Sequence, residues 1–88
     1  MINNFFTQQT LTDAFSKIEM GNIHNIIILN DGLNDIQYSN DGGNTISGII
    51  LANTGIEIRD TNCINESIIM YFQTVDNTNT ASVRIWGW

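Results

Sequence analysis

The chain has 88 residues, 42% hydrophobic and only 14% charged, so its polarity comes mainly from Asn, Thr, Ser, Gln and Gly. That length gives room for one core and one domain, and the composition is not that of a disordered chain. Lys17, Arg59 and Arg84 are the only fixed cations against nine carboxylates, a net charge of -6, which disfavours the phosphate neutralisation that direct nucleic-acid binding needs and repels anionic membrane surfaces.

In chain order, residues 1–10 hold Phe5 and Phe6 in a polar setting and read as an arm or short first strand. The start lacks the basic segment and sustained apolar run of a signal peptide, and no apolar run reaches the ~18 residues of a membrane span. From Thr10, Leu11, Phe15 and Ile18 recur at helical spacing, and Thr10 with Asp13 has the form of a capping box. One or two helical turns are expected there, with a strand as the alternative. Met20-Gly21-Asn22 is a break. Residues 1–22 are therefore read as an arm, first strand or short helix, and residues 23–88 as a β-sandwich domain.

Residues 23–30 form the next strand, apolar on both faces through Ile26-Ile27-Ile28-Leu29, the mark of an interior strand. Ile36 and Tyr38 alternate with Gln37 and Ser39. Asn40-Asp41-Gly42-Gly43-Asn44 is the strongest turn signal in the chain, because its glycines supply positive φ. A strand over 46–52 follows, with Gly48 a candidate bulge. Asn53-Thr54-Gly55 turns the chain into Ile56-Glu57-Ile58-Arg59, which alternates cleanly. Finally, residues 66–75 and 80–88 are rich in β-branched and aromatic side chains and flank a polar break at 76–79, the pattern of an antiparallel hairpin.

A four-residue hairpin loop puts Ile68, Met70, Phe72, Ala81, Val83 and Ile85 on one face. Ile69, Tyr71, Gln73, Ser82, Arg84 and Trp86 then take the other. A five-residue loop would bury Arg84 in an apolar layer, so the even loop is favoured. About seven strands separated by Gly, Asn and Asp turns predict an all-β fold, a small antiparallel β-sandwich or barrel. The expected core is Ile26, Ile28, Ile50, Ile56, Ile58, Met70, Phe72, Val83 and Ile85.

No catalytic apparatus is legible. His24 is the sole histidine and Cys63 the sole cysteine, with no nucleophile elbow or orienting carboxylate beside them; both read as structural, and Cys63 excludes an intrachain disulfide. Asp31, Asp35 and Asp41 depart from calcium-loop spacing and read as solvated turn residues. Glu57, Glu66 and Asp76 form no acid–base pair that the sequence locates. Asn65-Glu66-Ser67 matches a glycosylation sequon that carries no weight without a signal peptide. No metal, cofactor or enzymatic activity is expected.

The aromatic side chains are more informative. Tyr71, Arg84, Trp86 and Trp88 are expected on the outer face of the last two strands, with Ile69 behind Met70. Such residues are enriched at interface hot spots. A domain this small encloses one core, so a second apolar face needs a cover: another subunit, a partner surface, or the chain's own N-terminal segment with Phe5, Phe6, Leu11 and Phe15. The candidate interface is therefore Ile69, Tyr71, Arg84, Trp86, Trp88, Phe5 and Phe6.

Four stretches carry a resemblance: Asn25-Ile26-Ile27-Ile28-Leu29-Asn30-Asp31-Gly32, Ile36-Gln37-Tyr38-Ser39-Asn40-Asp41-Gly42, residues 48–58, and Ala81-Ser82-Val83-Arg84-Ile85-Trp86-Gly87-Trp88. Their order of strands and turns is similar to that of small β-sandwich structural proteins of tailed-phage virions. The resemblance covers about three quarters of the chain and leaves residues 1–22 unmatched. It implies a head decoration or tail-associated subunit made in the host cytoplasm, binding itself or the major capsid or tail proteins. The alternative is a carbohydrate-binding sandwich that uses Tyr71, Trp86 or Trp88 as a stacking platform.

Overall fold

A computed structural model describes residues 4–59, 67–75 and 80–88. The protein is all-β, with eight strands: β1 (Phe5–Leu11), β2 (Ser16–Gly21), β3 (Ile26–Asn30), β4 (Ile36–Ser39), β5 (Gly48–Ile50), β6 (Gly55–Ile58), β7 (Ile68–Thr74) and β8 (Ala81–Gly87). They form two four-stranded antiparallel sheets, ordered β1-β8-β3-β6 and β2-β7-β4-β5. Every connection but one passes from one sheet to the other; β4 to β5 stays within its sheet. The chain is thus a ribbon doubled back at the β4–β5 turn and wound on itself, so that β3 pairs β6, β2 pairs β7 and β1 pairs β8. The pairs β3–β8 and β4–β7 stitch successive turns of the ribbon together. This is the jelly-roll arrangement of a double-stranded β-helix.

Residues 10–18, where one or two helical turns or, alternatively, a strand were expected, divide between the end of β1, a turn and the start of β2. Ile18 and Met20 point inward while Lys17 and Glu19 face solvent. A strand period of two fits these four residues, and an isolated helical turn has too few hydrogen bonds to compete with pairing against β7. The turn before β2 uses Thr12, whose Oγ1 accepts the Ala14 N–H at 3.3 Å and whose carbonyl accepts the Thr74 N–H at 2.9 Å. No helix occurs among the described residues.

The expected pairing of the last two long strands is not formed. β7 lies between β2 and β4, and β8 lies between β1 and β3 in the opposite sheet. Their side-chain parity is nonetheless as expected: Met70, Phe72, Ala81, Val83 and Ile85 are buried. Two strands that face each other across a sandwich present the same alternation as two strands paired side by side, so the pattern determines faces and leaves partners undetermined. The loop residues 76–79 lie outside the described residues.

The core joins Leu11, Ile26, Ile28, Ala81, Val83 and Ile85 from one sheet to Ile18, Met20, Ile36, Ile50, Met70 and Phe72 from the other, with Ile23 closing one end. Ile56 and Ile58, expected in the core, are only half-buried because β6 is an edge strand. Gly48, the candidate bulge, is the first paired residue of β5, opposite Tyr38, and no register shift falls within the β4–β5 pairs themselves. Gly48 is small because the Tyr38 ring crosses it: a Cβ there would lie 2.6 Å from the Tyr38 hydroxyl. The register shift falls between Glu19 and Gly21 instead, at a glycine with φ of 77°.

Candidate functional site

The two sheets place the candidate interface residues on opposite sides of the molecule. On the outer face of the β1-β8-β3-β6 sheet, register sets Phe6 beside Trp86 and Trp86 beside Ile27, a row of three apolar side chains on three neighbouring strands. Strand alternation puts them there, because the intervening residues of β8 and β3 belong to the core. The Phe6 and Trp86 rings lie 5.1 Å apart at a tilt of 45°, within the favoured range for aromatic pairs. On the other flank of Trp86, the Arg84 guanidinium sits 5.3 Å from the ring centroid, a cation–π contact.

Arg84 is held in place from below. Its Nη2 donates to Asp31 Oδ1 at 2.8 Å and its Nε donates to Asp31 Oδ2, a two-point ion pair. The arginine hydrogen bonds hold the Asp31 carboxyl below the usual carboxylate range, and the carboxylate raises the arginine in turn. This pair is solvent-facing, so its main effect is orientation: the planar fork fixes the guanidinium beside the indole.

Trp88 extends the row at the strand end. Its backbone is tied to the 24–25 turn, with its carbonyl accepting the His24 and Asn25 N–H groups at 2.9 Å each and its N–H donating to the Asn25 carbonyl at 3.0 Å. Its side chain remains 43% exposed. Phe6, Ile27, Trp86 and Trp88, with Asn4, Phe5 and Gly87, line an open groove of about 560 Å³. Phe5 turns toward the core and packs against it.

Ile69 and Tyr71 are not part of this face. They stand half-buried on the outer side of the other sheet, where Ile69 pairs with Glu19, and Tyr71 with Lys17 and Ser39. A Lys17–Glu19 ion pair at 3.2 Å and the Gln37–Gln73 amide contact make that surface polar. Of the seven candidate residues, Phe6, Arg84, Trp86 and Trp88 come together, Phe5 borders them, and Ile69 and Tyr71 lie across the sandwich. Among the described residues of the N-terminal segment, Phe6 packs on Trp86 and widens the face, Leu11 is core, and Phe15 packs on Gly43 of the β4–β5 turn. Ile27 was not among the seven candidate interface residues, although the expected second apolar side of residues 26–29 pointed to it. Its alternation with the core residues Ile26 and Ile28 was the available signal.

The remaining polar groups are tied into the fold. Asp35 Oδ1 accepts the Ala52 N–H at 2.8 Å, and Asp41 Oδ1 accepts from Ser39 Oγ at 2.7 Å and from the Thr45 N–H at 2.8 Å. With Asp31 on Arg84, the three aspartates of the 31–41 stretch serve three separate contacts. The side chain of the buried Asn30 clamps the same region, donating to the Asn34 and Ile50 carbonyls and accepting the Gly32 N–H. Glu57 pairs with Arg59, and His24 is exposed. Among the described residues no group of three His, Cys, Asp or Glu side chains is placed to hold a metal ion. Cys63, Asn65, Glu66 and Asp76 lie outside the described residues.

No family model matches the chain, and no curated protein matches it in sequence. Among solved structures it is similar to a de novo designed double-stranded β-helix, with a TM-score of 0.66 and 11% identity over 94% of this chain and 97% of that one. It is also similar to the crystal structure of FeII HppE, with a TM-score of 0.61 and 10% identity over 98% of this chain. The chain spans 44% of that protein's length. At such identities the likeness is one of fold.

Proposed function

We propose that this protein is a non-enzymatic structural subunit that docks through the outer face of its β1-β8-β3-β6 sheet. In keeping with the virion proteins its sequence pattern resembles, it serves as a capsid decoration or tail-associated component, assembled in the host cytoplasm onto itself or onto major capsid or tail proteins. The observation that carries this reading is the Phe6–Trp86–Ile27 row with Trp88, an apolar strip rimmed by Arg84 and Asp31. An aromatic centre with a charged rim is the usual anatomy of a protein-binding patch. Sugar binding by the same aromatics is less well supported, because a saccharide needs several directed polar partners around its stacking ring, whereas among the described residues Asn4 is the one non-aromatic polar side chain lining the groove and the Arg84 and Asp31 at its rim are engaged with each other.

Mass spectrometry of particles purified from a lysate of the source strain is expected to find the chain at stoichiometric copy number. Trp86→Ser is expected to weaken its incorporation by about 2 kcal/mol or more, as for a hot spot, with the circular dichroism of the purified protein unchanged. A chain missing from purified particles would overturn the reading, as would a Trp86→Ser variant that incorporates normally. Oligosaccharide binding lost in that variant would transfer the face to the carbohydrate alternative.

A further inference from the structure

Two sandwiched sheets leave four strand edges, and three of them are blunted. β2 carries Lys17 and Glu19 and breaks register between Glu19 and Gly21. β5 is three residues long, and β6 is four residues long with Glu57 paired to Arg59. Short length, charge and bulges are the devices by which proteins keep an edge from recruiting another strand. β1 has none of them. It runs seven residues, Phe-Phe-Thr-Gln-Gln-Thr-Leu, without a charge, glycine or proline, and keeps unbroken register with β8 on its inner side. No strand pairs with its other side among the described residues.

We propose that β1 is the contact between two copies of this chain, which pair antiparallel, edge to edge, about a two-fold axis at Gln8. Charge restricts where two copies can meet. The chain carries a net charge of -6, so two copies repel over most approaches, and β1 is the long edge where they meet without facing like charges. The sequence is also self-complementary in that register. Gln8 faces Gln8 of the second copy, and an amide side chain is both donor and acceptor; a two-fold contact requires that kind of self-match. Phe6, 56% exposed at the rim, comes to lie opposite Thr10 of the second copy, whose methyl group covers part of the ring. The pairing fuses two four-stranded sheets into one continuous sheet and brings two aromatic rows onto a single surface. It stands independently of what docks on that surface.

The test is disulfide trapping with the full chain. In a Cys63→Ser background, Gln8→Cys places two thiols across the proposed axis, where directly opposed residues of antiparallel strands lie about 4.5–5.5 Å apart at Cα, within disulfide reach. Mild oxidation is expected to give a linked dimer at least tenfold faster than Thr45→Cys, an exposed control on the other sheet's turn. Gln8→Lys, which sets two ammonium groups against each other, is expected to raise the dimer dissociation constant at least tenfold by sedimentation equilibrium, with unchanged circular dichroism. If Gln8→Lys fails to fold, the cross-linking rate decides alone. A wild-type chain that sediments as a monomer up to millimolar concentration overturns the proposal, as does cross-linking at Gln8→Cys no faster than at the control. A dimer dissolved by Trp86→Ser and untouched by Gln8→Lys would overturn it as well, placing the contact on the sheet face.

Discussion

The polar breaks at residues 40–44 and 76–79 each separate two apolar, alternating strands, yet β4 and β5 pair across the first while β7 and β8, flanking the second, belong to different sheets. The first break carries the turn chemistry of a tight reversal. At the first break, Gly42 and Gly43 take φ of 77° and 95°, values that reverse a ribbon tightly and that side chains resist. Around them Ser39 Oγ accepts the Gly43 N–H at 2.9 Å and donates to Asp41, which in turn accepts the Thr45 N–H. The second break, Asp76-Asn77-Thr78-Asn79, contains no glycine. Alternation makes a strand, whereas the backbone options of the residues between strands decide whether the next strand lies beside or across.

The largest test of this contrast bears on β7 itself. Phe72→Ala is expected to cost about 3–5 kcal/mol in urea unfolding, the range for a buried aromatic truncation, because Phe72 is fully buried between the sheets and packs against Tyr38. A loss under about 1 kcal/mol would place it at a surface. Next, Gly43→Ala should cost about 1–3 kcal/mol, since the new Cβ meets the Phe15 ring at 2.7 Å in a left-handed backbone. Gly42→Ala, with nothing within 4 Å, should cost only the backbone term, about 1 kcal/mol. Equal losses at the two glycines would remove Phe15 from the explanation.

A pair of inserted glycines sharpens the comparison directly. Between Asn77 and Thr78 the insertion is expected to cost under about 1 kcal/mol, the entropy of a slightly longer connection. Between Gly42 and Gly43 it should cost about 1–3 kcal/mol by separating the Ser39 and Asp41 network from its turn. The smallest effect is electrostatic. The Ser39 hydroxyl, followed by the Thr45 N–H, holds the Asp41 carboxyl below the usual carboxylate range. A carboxyl lowered on folding adds stability above its unfolded pKa and loses it as pH falls through the lower folded value. Denaturant unfolding followed downward from pH 5 should therefore show a shallower acid loss in Asp41→Asn than in the wild type.

The fold class was legible because β4, β6, β7 and β8 announce themselves by alternation and β3 and β5 by apolar runs between turn residues, while β1 read only as an arm or short first strand, and because inward and outward faces follow from a period of two. Ile26, Ile28, Met70, Phe72, Val83 and Ile85 reach the core for that reason. β2 was obscured because Leu11, Phe15 and Ile18 straddle a turn, and spacing counted across a turn mimics a helix. Strand partners were not legible: in this topology most pairings join residues far apart in the chain, which leave no local mark. The candidate face was half-legible on the same grounds. Trp86 and Arg84 lie on one strand and could be grouped, whereas Phe6 and Ile27 reach them only through pairing, and Tyr71 seemed to share their face only while β7 was set beside β8.

The nesting of the pairs also imposes an order in time. Only β4 and β5 are close enough in the chain to meet early; β3–β6, β2–β7 and β1–β8 each close a larger loop around the last, at rising entropic cost. During synthesis β1 emerges ahead of every other strand, and its partner β8 emerges after all of them. For that whole interval the uncharged segment Phe5–Leu11 has both edges open, and on a polysome neighbouring copies of it are held close together. Pulse-labelled hydrogen exchange should find the β4–β5 amides protected first and those of β1 last. The strand we assign to joining two finished copies is thus the one that nascent copies expose longest, so the rate at which β8 arrives sets how often chains meet each other before they have met themselves.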